Sequence, residues 1–378
     1  MNLKTLLAPL QDSSVYGSVD REITGIAYDS RKVGKGDLFV ALPGLHFHGL
    51  QFLPQAEQAG AVAVLSDRKP DTALPCIVVP NARFALATIS NTFYDHPSLK
   101  LKLFAVTGTN GKTTSTFLMR SVLETAGNKT GIIGTILYGD QDFQTPASLT
   151  TPESMDLQKL LARMVQEHCS ACAMEASSHS LQQFRVAGCA FETAIFTNLT
   201  QDHLDYHVTM EDYFLAKLML FNNQTCTTKI AIVNIDDPYG DRILTEREKI
   251  SATSFTYGFS ARAQYRISEW TTSSTGSRLQ IDHPNGKSTI RTPLMARYNA
   301  YNICGVFAAM KSAGIQEEAI LHGIESMNQV PGRLERIDLG QPYLILIDYA
   351  HTEDALSQLL KTIRPYTSKR LIVLFGCG

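Results

Sequence analysis

Apolar runs of strand length alternate with stretches whose apolar residues recur at helical spacing, and the alternation is most regular through the middle of the chain. LFAVTG, SACAME, TAIFTN and KIAIVN are apolar on both faces of a pleat, and MDLQKLLARMVQEH and EDYFLAKLMLFN carry the helical period. Strands without a polar face need helices on both sides, so residues 99–330 predict an α/β domain with a mostly parallel sheet. Residues 1–98 mix the strand-like DLFVAL and AVAVLS with the helical QFLPQAEQAG, and Pro97 in YDHPSLK marks a linker. Beyond VPGRLE, residues 331–378 begin another α/β unit: YLILIDYA, the helical DALSQLLKTIRP, and a second strand in LIVLFGCG. Two strands bury little core, so this last unit either leans on its neighbour or is cut short, and truncation is the preferred expectation.

Composition narrows the partners. The 378 residues carry a formal net charge of −2 with 19% charged residues, which gives no general electrostatic surface for nucleic acid or for membranes. Small molecules are the expected ligands. The start MNLKTLLAPLQDSS lacks the basic leader and long apolar core of a secretory signal, and the seven cysteines, from Cys76 to Cys377, are an odd number. A cytoplasmic, reducing setting follows as an expectation. Cys169 and Cys172 have metal-knuckle spacing but no second pair, so buried, inert thiols are favoured over a zinc site.

Chemistry enters with TGTNGKTT, residues 107–114, set between the strand LFAVTG and the helical STFLMRSVLETAG. The segment Gly108, Thr109, Asn110, Gly111, Lys112, Thr113, Thr114 has Val106 where a Walker loop has its first glycine. The essentials remain: small residues expose backbone N–H groups, a helix starts near Lys112, and Thr113 offers a hydroxyl to magnesium. Phosphate binding is expected, without a choice between hydrolysis, kinase action and ligation. Glu175 ends a strand in MEASSHSLQQFR, where a carboxylate could complete the magnesium shell. Ser177, Ser178 and His179 lack the strained elbow of a serine hydrolase. TNLTQDHLDYH adds His203, Asp205 and His207, which are candidate metal ligands or capping residues. Lys217, among apolar neighbours in YFLAKLML, is expected on residue-level grounds to send its amine to solvent along its stem.

Taken in order, YDSRKV, TGTNGKTT, TTPES, MEASSH, NLTQDHLDYH, the AK at 216–217, NAYN at 299–302, VPGRLE and DYAHT make the chain similar to the ATP-dependent Mur ligase family of peptidoglycan synthesis. Within it, the chain most resembles the branch that adds the third residue to UDP-N-acetylmuramoyl-L-Ala-D-Glu. The resemblance implies a three-domain architecture: residues 1–98 binding the UDP substrate, residues 99–330 as the P-loop central domain, and residues 331–378 as the beginning of a truncated C-terminal ligase domain. It implies Ser30 as a contact to the uridine end, and Thr150, Thr151, Ser177, Gln183 and Arg185 as contacts to the muramoyl-dipeptide part. Lys112, Thr113, Glu175 and His203 resemble the phosphate and magnesium framework. Lys217 resembles the lysine that reacts with carbon dioxide to give a metal-binding carbamate. Asn302, Arg333 and Asp348 resemble nucleotide-side contacts.

The implied reaction activates the D-Glu carboxylate as an acyl phosphate at the expense of ATP, and the amine of diaminopimelate or lysine then attacks to give an amide. ATP and Mg2+ are the implied cofactors and a monomer the implied state. A folylpolyglutamate synthetase-like ligase and a nucleotide-binding fragment without ligase activity are the alternatives, and YDSR with MEASSH favours the muramoyl substrate.

Overall fold

The computed structural model describes residues 1–44, 47–246, 252–351 and 353–376, so Thr352 of the DYAHT motif and Cys377 lie outside the described residues. Its N-terminal part comprises α1 (Leu3–Leu7), β1 (Ser14–Tyr16), β2 (Gly25–Ala27), β3 (Asp37–Ala41), α2 (Leu53–Ala59), β4 (Ala63–Ser66), β5 (Cys76–Val78) and α3 (Ala82–Phe93). The sheet order is β1-β5-β4-β3-β2, parallel except for β1. DLFVAL and AVAVLS become β3 and β4, and both are buried almost throughout because helices cover the two faces. The Pro97 linker forms a single 3-10 turn, Pro97–Leu99.

The central part contains β6 (Lys102–Thr107), α4 (Lys112–Thr125), β7 (Thr130–Ile133), β8 (Leu137–Gly139), β9 (Gln144–Pro146), α5 (Ser154–Gln166), β10 (Ala171–Glu175) and α6 (Ser178–Gln182). It continues through β11 (Ala190–Phe196), α7 (Leu204–His207), α8 (Met210–Leu218), β12 (Thr227–Asn234), α9 (Pro238–Thr245) and β13 (Thr253–Gly258). These strands belong to one sheet of order β16-β15-β14-β13-β12-β11-β6-β10-β7-β8-β9, whose outer members β14 (Tyr265–Ser273), β15 (Gly276–His283) and β16 (Gly286–Thr292) precede α10 (Arg297–Ser312) and α11 (Glu317–Ser326). The interior from β7 to β13 is parallel, as the unbroken apolar runs require. Both ends are antiparallel, a feature the strand runs alone do not foretell. On one face Leu118, Met119 and Val122 of α4 pack with Ile303 and Phe307 of α10; on the other, Leu157 and Leu161 of α5 pack with Phe214 of α8.

β6 lies between β10 and β11, and the connections from its two neighbours diverge there. Open α/β sheets place ligands beyond the carboxyl ends of the strands at such a switch. The final part is a small antiparallel pair, β17 (Glu335–Ile337) and β18 (Ile345–Ile347), followed by α12 (Glu353–Ile363). Among the described residues of LIVLFGCG the expected strand does not form: residues 371–376 have no regular structure, and Leu374 is 99% exposed. They pair with no strand, and apolar sequence alone does not make one. Among the described residues, no helix is long and apolar enough to cross a membrane.

Candidate active site at the carboxyl ends of the central strands

The phosphate-type loop joins β6 to α4 through four residues, and its shape depends on two glycines. Gly108 has φ +147°, and a Cβ there would lie 1.9 Å from Thr197 Oγ1; Gly111 has φ +90°, and its Cβ would lie 2.3 Å from Asn302 Oδ1. The loop is held from β11 as well: Asn110 N–H donates to Asn198 Oδ1 at 3.0 Å, and the Thr197 hydroxyl donates to Asn110 O at 2.7 Å. Asn302 thus lies against the loop, with its amide fixed by a 3.1 Å bond to Asn299 Oδ1. Thr113 and Thr114 sit buried in the first turn of α4.

Two lysine amines converge on one carbonyl. Lys112 Nζ donates to Gly108 O and Thr109 O, both at 2.8 Å, and Lys217 Nζ donates to the same Gly108 O at 2.9 Å. Lys217 is 1% exposed, with its amine 4.4 Å from the Tyr213 ring centroid. The expectation of a solvated amine is therefore corrected: α8 turns this side chain inward, where the loop carbonyl replaces water. Burial, reinforced by the neighbouring Lys112 charge, holds the Lys217 amine well below the ordinary lysine pKa. Lys112 is lowered as well, chiefly by burial, with Glu175 and Asp202 opposing.

Glu175 ends β10 and is 1% exposed. Its carboxylate accepts from Thr135 N–H at 2.9 Å and from the Thr135 hydroxyl at 3.1 Å, and Gly134 leaves it room, since a Cβ there would lie 2.5 Å from Oε1. Thr135 in turn meets the Thr150 hydroxyl at 3.1 Å. The Thr151 hydroxyl donates to Glu175 O at 2.8 Å and accepts from Ser177 N–H at 3.2 Å. Ser177 caps α6, which carries the chain to Gln183 and Arg185. Arg185 is gripped by three bonds, Nη1 to Thr151 O at 2.9 Å and Nε and Nη2 to Gln183 Oε1 at 3.1 and 2.6 Å.

His203 sits in the left-handed region at φ +52°, its ring 4.8 Å from that of His179 and its Nε2 3.5 Å from Asp202. His207 is buried, with Nε2 2.9 Å from the Ser178 hydroxyl, and burial pushes its pKa down to about 4. It thus belongs to the wall behind Tyr213, a neutral packing group. From the C-terminal part, Arg333 Nη2 donates to the Thr113 hydroxyl at 3.3 Å, and Asp348 accepts from Leu334 N–H at 2.8 Å and Ala350 N–H at 2.9 Å, which fixes the turn that presents Arg333. Ser30 is remote from this cluster in the chain's N-terminal part, where its hydroxyl donates to Gln55 at 2.8 Å.

The structure adds Thr135, Asn198, Glu153 and Arg83 to the residues singled out in the sequence. Thr135 lies in the bend after β7, the strand beside the one that ends in Glu175, the one trace it leaves in the sequence; Arg83, on α3, leaves none. Among the described residues no three His, Cys, Asp or Glu side chains form a ready-made metal site. Cys169 and Cys172 are buried thiols, and burial and Asp140 push Cys169 up to about 12.

Comparison with known proteins matches three family descriptions in chain order: "Mur ligase family, catalytic domain" at residues 22–94, "Mur ligase middle domain" at residues 106–310, and "Mur ligase, glutamate ligase domain" at residues 332–378. UDP-N-acetylmuramoyl-L-alanyl-D-glutamate–2,6-diaminopimelate ligase 1 of Clostridium acetobutylicum is 40% identical over all of this chain and 78% of its own length. The ligase of the same type from Solibacter usitatus is 42% identical over 94% of this chain and 72% of its own. A solved structure of a UDP-N-acetylmuramoyl-L-alanyl-D-glutamate–2,6-diaminopimelate ligase superposes with a TM-score of 0.85 at 29% identity, covering all of this chain and 77% of that one. Folylpolyglutamate synthetase from Lactobacillus casei, at TM-score 0.57 and 14% identity over 75% of this chain and 76% of its own, shares the fold.

Proposed function

The chain belongs to the Mur ligase family, an α/β three-domain family of ATP-dependent acid–amino-acid ligases, and from that premise we propose that it joins diaminopimelate or lysine to UDP-N-acetylmuramoyl-L-Ala-D-Glu through an acyl phosphate. The observation that carries this reading is the coupling at the end of β10. One residue, Glu175, holds its carboxylate on Thr135, near enough for its charge to act on Lys112 of the phosphate loop, while its backbone carbonyl is bonded to Thr151, which also carries Ser177 and Arg185. A phosphoryl donor and a carboxylate acceptor bound to these two sets are neighbours, as phosphoryl transfer to a carboxylate requires.

In this reading Lys112 leaves the Gly108 and Thr109 carbonyls for the terminal phosphates of ATP, and the loop N–H groups hold the remainder. Arg185 and Ser177 orient the anionic dipeptide, and Arg333 and Asn302 bound the nucleotide from the other side. The Thr113 hydroxyl and the Glu175 carboxylate are hard oxygen donors of the kind magnesium takes together with phosphates, and His203 and a modified Lys217 would extend the set. Magnesium so held supplies charge neutralisation between the two anionic reactants. A depressed Lys217 pKa enlarges the fraction of neutral amine, which attacks carbon dioxide to form an N–C bond and release one proton, leaving an anionic carbamate. The C-terminal part and the incoming amine complete the reaction: the amine attacks the acyl phosphate, phosphate leaves, and the amide forms.

The test is formation of the acyl phosphate and amide. With UDP-N-acetylmuramoyl-L-Ala-D-Glu and ATP, hydroxylamine is expected to trap a hydroxamate of the nucleotide dipeptide, and mass-resolved products with diaminopimelate or lysine identify the amine. Hydroxamate from a folate substrate but not from the muramoyl one would replace this reading by a folate-ligase one.

A further inference from the structure

Glu153 carries one negative charge between two guanidinium groups. It is 9% exposed, caps α5 by accepting from Ser154 N–H at 3.2 Å through Oε1, and turns Oε2 toward both arginines. Arg83 Nη1, from α3 of the N-terminal sheet, donates to Oε2 at 2.8 Å. Arg185 Nε stands 3.7 Å from the same oxygen, beyond hydrogen-bonding distance, and spends its donors on Gln183 and Thr151 instead. The carboxylate's hydrogen bond at this oxygen is thus committed to Arg83, and Arg185 meets it only as a loose ion pair, with no N–H donor spent on a carboxylate. Arg83 is itself anchored by Nη2 to Pro43 O at 3.5 Å.

We propose that Arg83 is a positioning residue that reserves Arg185 for an anionic group of the substrate by keeping Glu153 from closing its loose ion pair with Arg185 into a hydrogen-bonded one. This rests on the reading that Arg185 binds the nucleotide dipeptide. The physical argument is competition for one carboxylate. A partly buried carboxylate that loses its guanidinium partner takes the nearest remaining one, because leaving it unpaired costs several kcal/mol. That partner is Arg185, less than 1 Å beyond bonding distance and joined to Glu153 through the Thr151–Glu153 turn. An Arg185 paired with Glu153 is a poor ligand for a second anion, since a fork already engaged by a carboxylate has little charge left to offer. Arg83 therefore controls affinity with no contact to substrate. It links the N-terminal sheet to the dipeptide end of the site without serving as a hinge. Phe84 packs edge-on against Phe184, and the Tyr94 hydroxyl meets Met155 Sδ at 3.7 Å, so the units stay joined when the ion pair is removed.

A double-mutant cycle read by calorimetric titration of UDP-N-acetylmuramoyl-L-Ala-D-Glu tests this. Arg83→Met keeps most of the stem and removes the charge; it is expected to raise Kd at least tenfold. Glu153→Gln alone is expected to bind as tightly as the unaltered protein or tighter. The double variant Arg83→Met/Glu153→Gln is expected to return to within about threefold of the starting affinity. Because it carries the same Arg83 loss, that recovery cannot come from a repaired interface. An Arg83→Met variant that binds within twofold of the unaltered protein overturns the proposal. So does a double variant as weak as Arg83→Met, the result if Arg83 touches substrate or only holds the fold. Failure of the unaltered protein to bind this ligand refutes the substrate reading instead, and the same cycle run with the anionic ligand that does bind still decides the role of Arg83.

Discussion

Lys112 and Lys217 end on the same carbonyl, yet only one was legible from its surroundings in sequence. Lys112 follows a strand and a Gly-rich turn and opens a helix, a context that by itself raises the expectation of phosphate chemistry. Lys217 has apolar neighbours that reveal a helix and not where a flexible four-carbon stem delivers its amine; the deciding partner, Gly108 O, is 109 residues away. Lys112→Ala is expected to reduce phosphoryl transfer to the nucleotide dipeptide about a hundredfold, roughly 3 kcal/mol of transition-state stabilisation, while the thermal unfolding midpoint stays close to that of the unaltered protein. Near-normal transfer at saturating ATP removes Lys112 from the chemistry. Lys217→Ala is expected to impair turnover, with partial recovery when a short carboxylic acid fills the space and supplies the anion. If the carbamate forms, isotopic carbon dioxide is retained at Lys217 under trapping conditions. Wild-type turnover in the alanine variant, with no label at Lys217, refutes the modification.

At the scale of elements, the parallel interior strands were readable because a strand buried on both faces leaves no polar alternation. β14 to β16 were harder, since Tyr265–Ser273 alternates buried and exposed residues and pairs antiparallel, in a register its own residues do not encode. Residues 371–376 show the converse, a strand-like composition without a strand because pairing belongs to two segments. The loop between β6 and α4 is the element on which most depends, and Gly111, where it enters α4, is one of its two tight points. Gly111→Ala places a side chain at φ +90°, which costs about 1–2 kcal/mol for an L residue, and puts its Cβ 2.3 Å from Asn302 Oδ1. Asn302 cannot step aside freely, because its amide bonds Asn299, whose own amide donates to Met295 O at 2.8 Å. The variant is expected to melt several degrees lower and to bind ATP at least tenfold more weakly. A melting curve and ATP titration indistinguishable from those of the starting protein would mean that the loop does not hold this shape.

At the scale of the molecule, changes in period along the chain foretell separate units and miss what joins them. The helix α5 belongs by sequence to the central sheet, and its Leu157 and Leu161 are buried there. Two residues before Leu157, Met155 is 8% exposed within the core of the N-terminal sheet, among residues such as Leu86 and Ile89. The Tyr28 hydroxyl bonds Asp156 on the same helix, and Arg83 bonds Glu153 at its cap. Helical geometry explains the double allegiance: residues two positions apart point to opposite sides, so one short helix feeds two cores. The two cores are therefore expected to unfold together. Trp270, the single tryptophan, reports on the central sheet, and Cys76, buried in β5, reports by alkylation on the N-terminal one. In the unaltered protein both signals are expected to share one urea midpoint. Met155→Ala removes a buried side chain at the junction, at a cost of about 3 kcal/mol. That loss falls chiefly on the N-terminal core, so Cys76 is expected to become reactive at a lower urea concentration than that at which Trp270 fluorescence changes. Separate midpoints already in the unaltered protein, or coincident and unshifted midpoints in the variant, would show that α5 does not couple the two sheets.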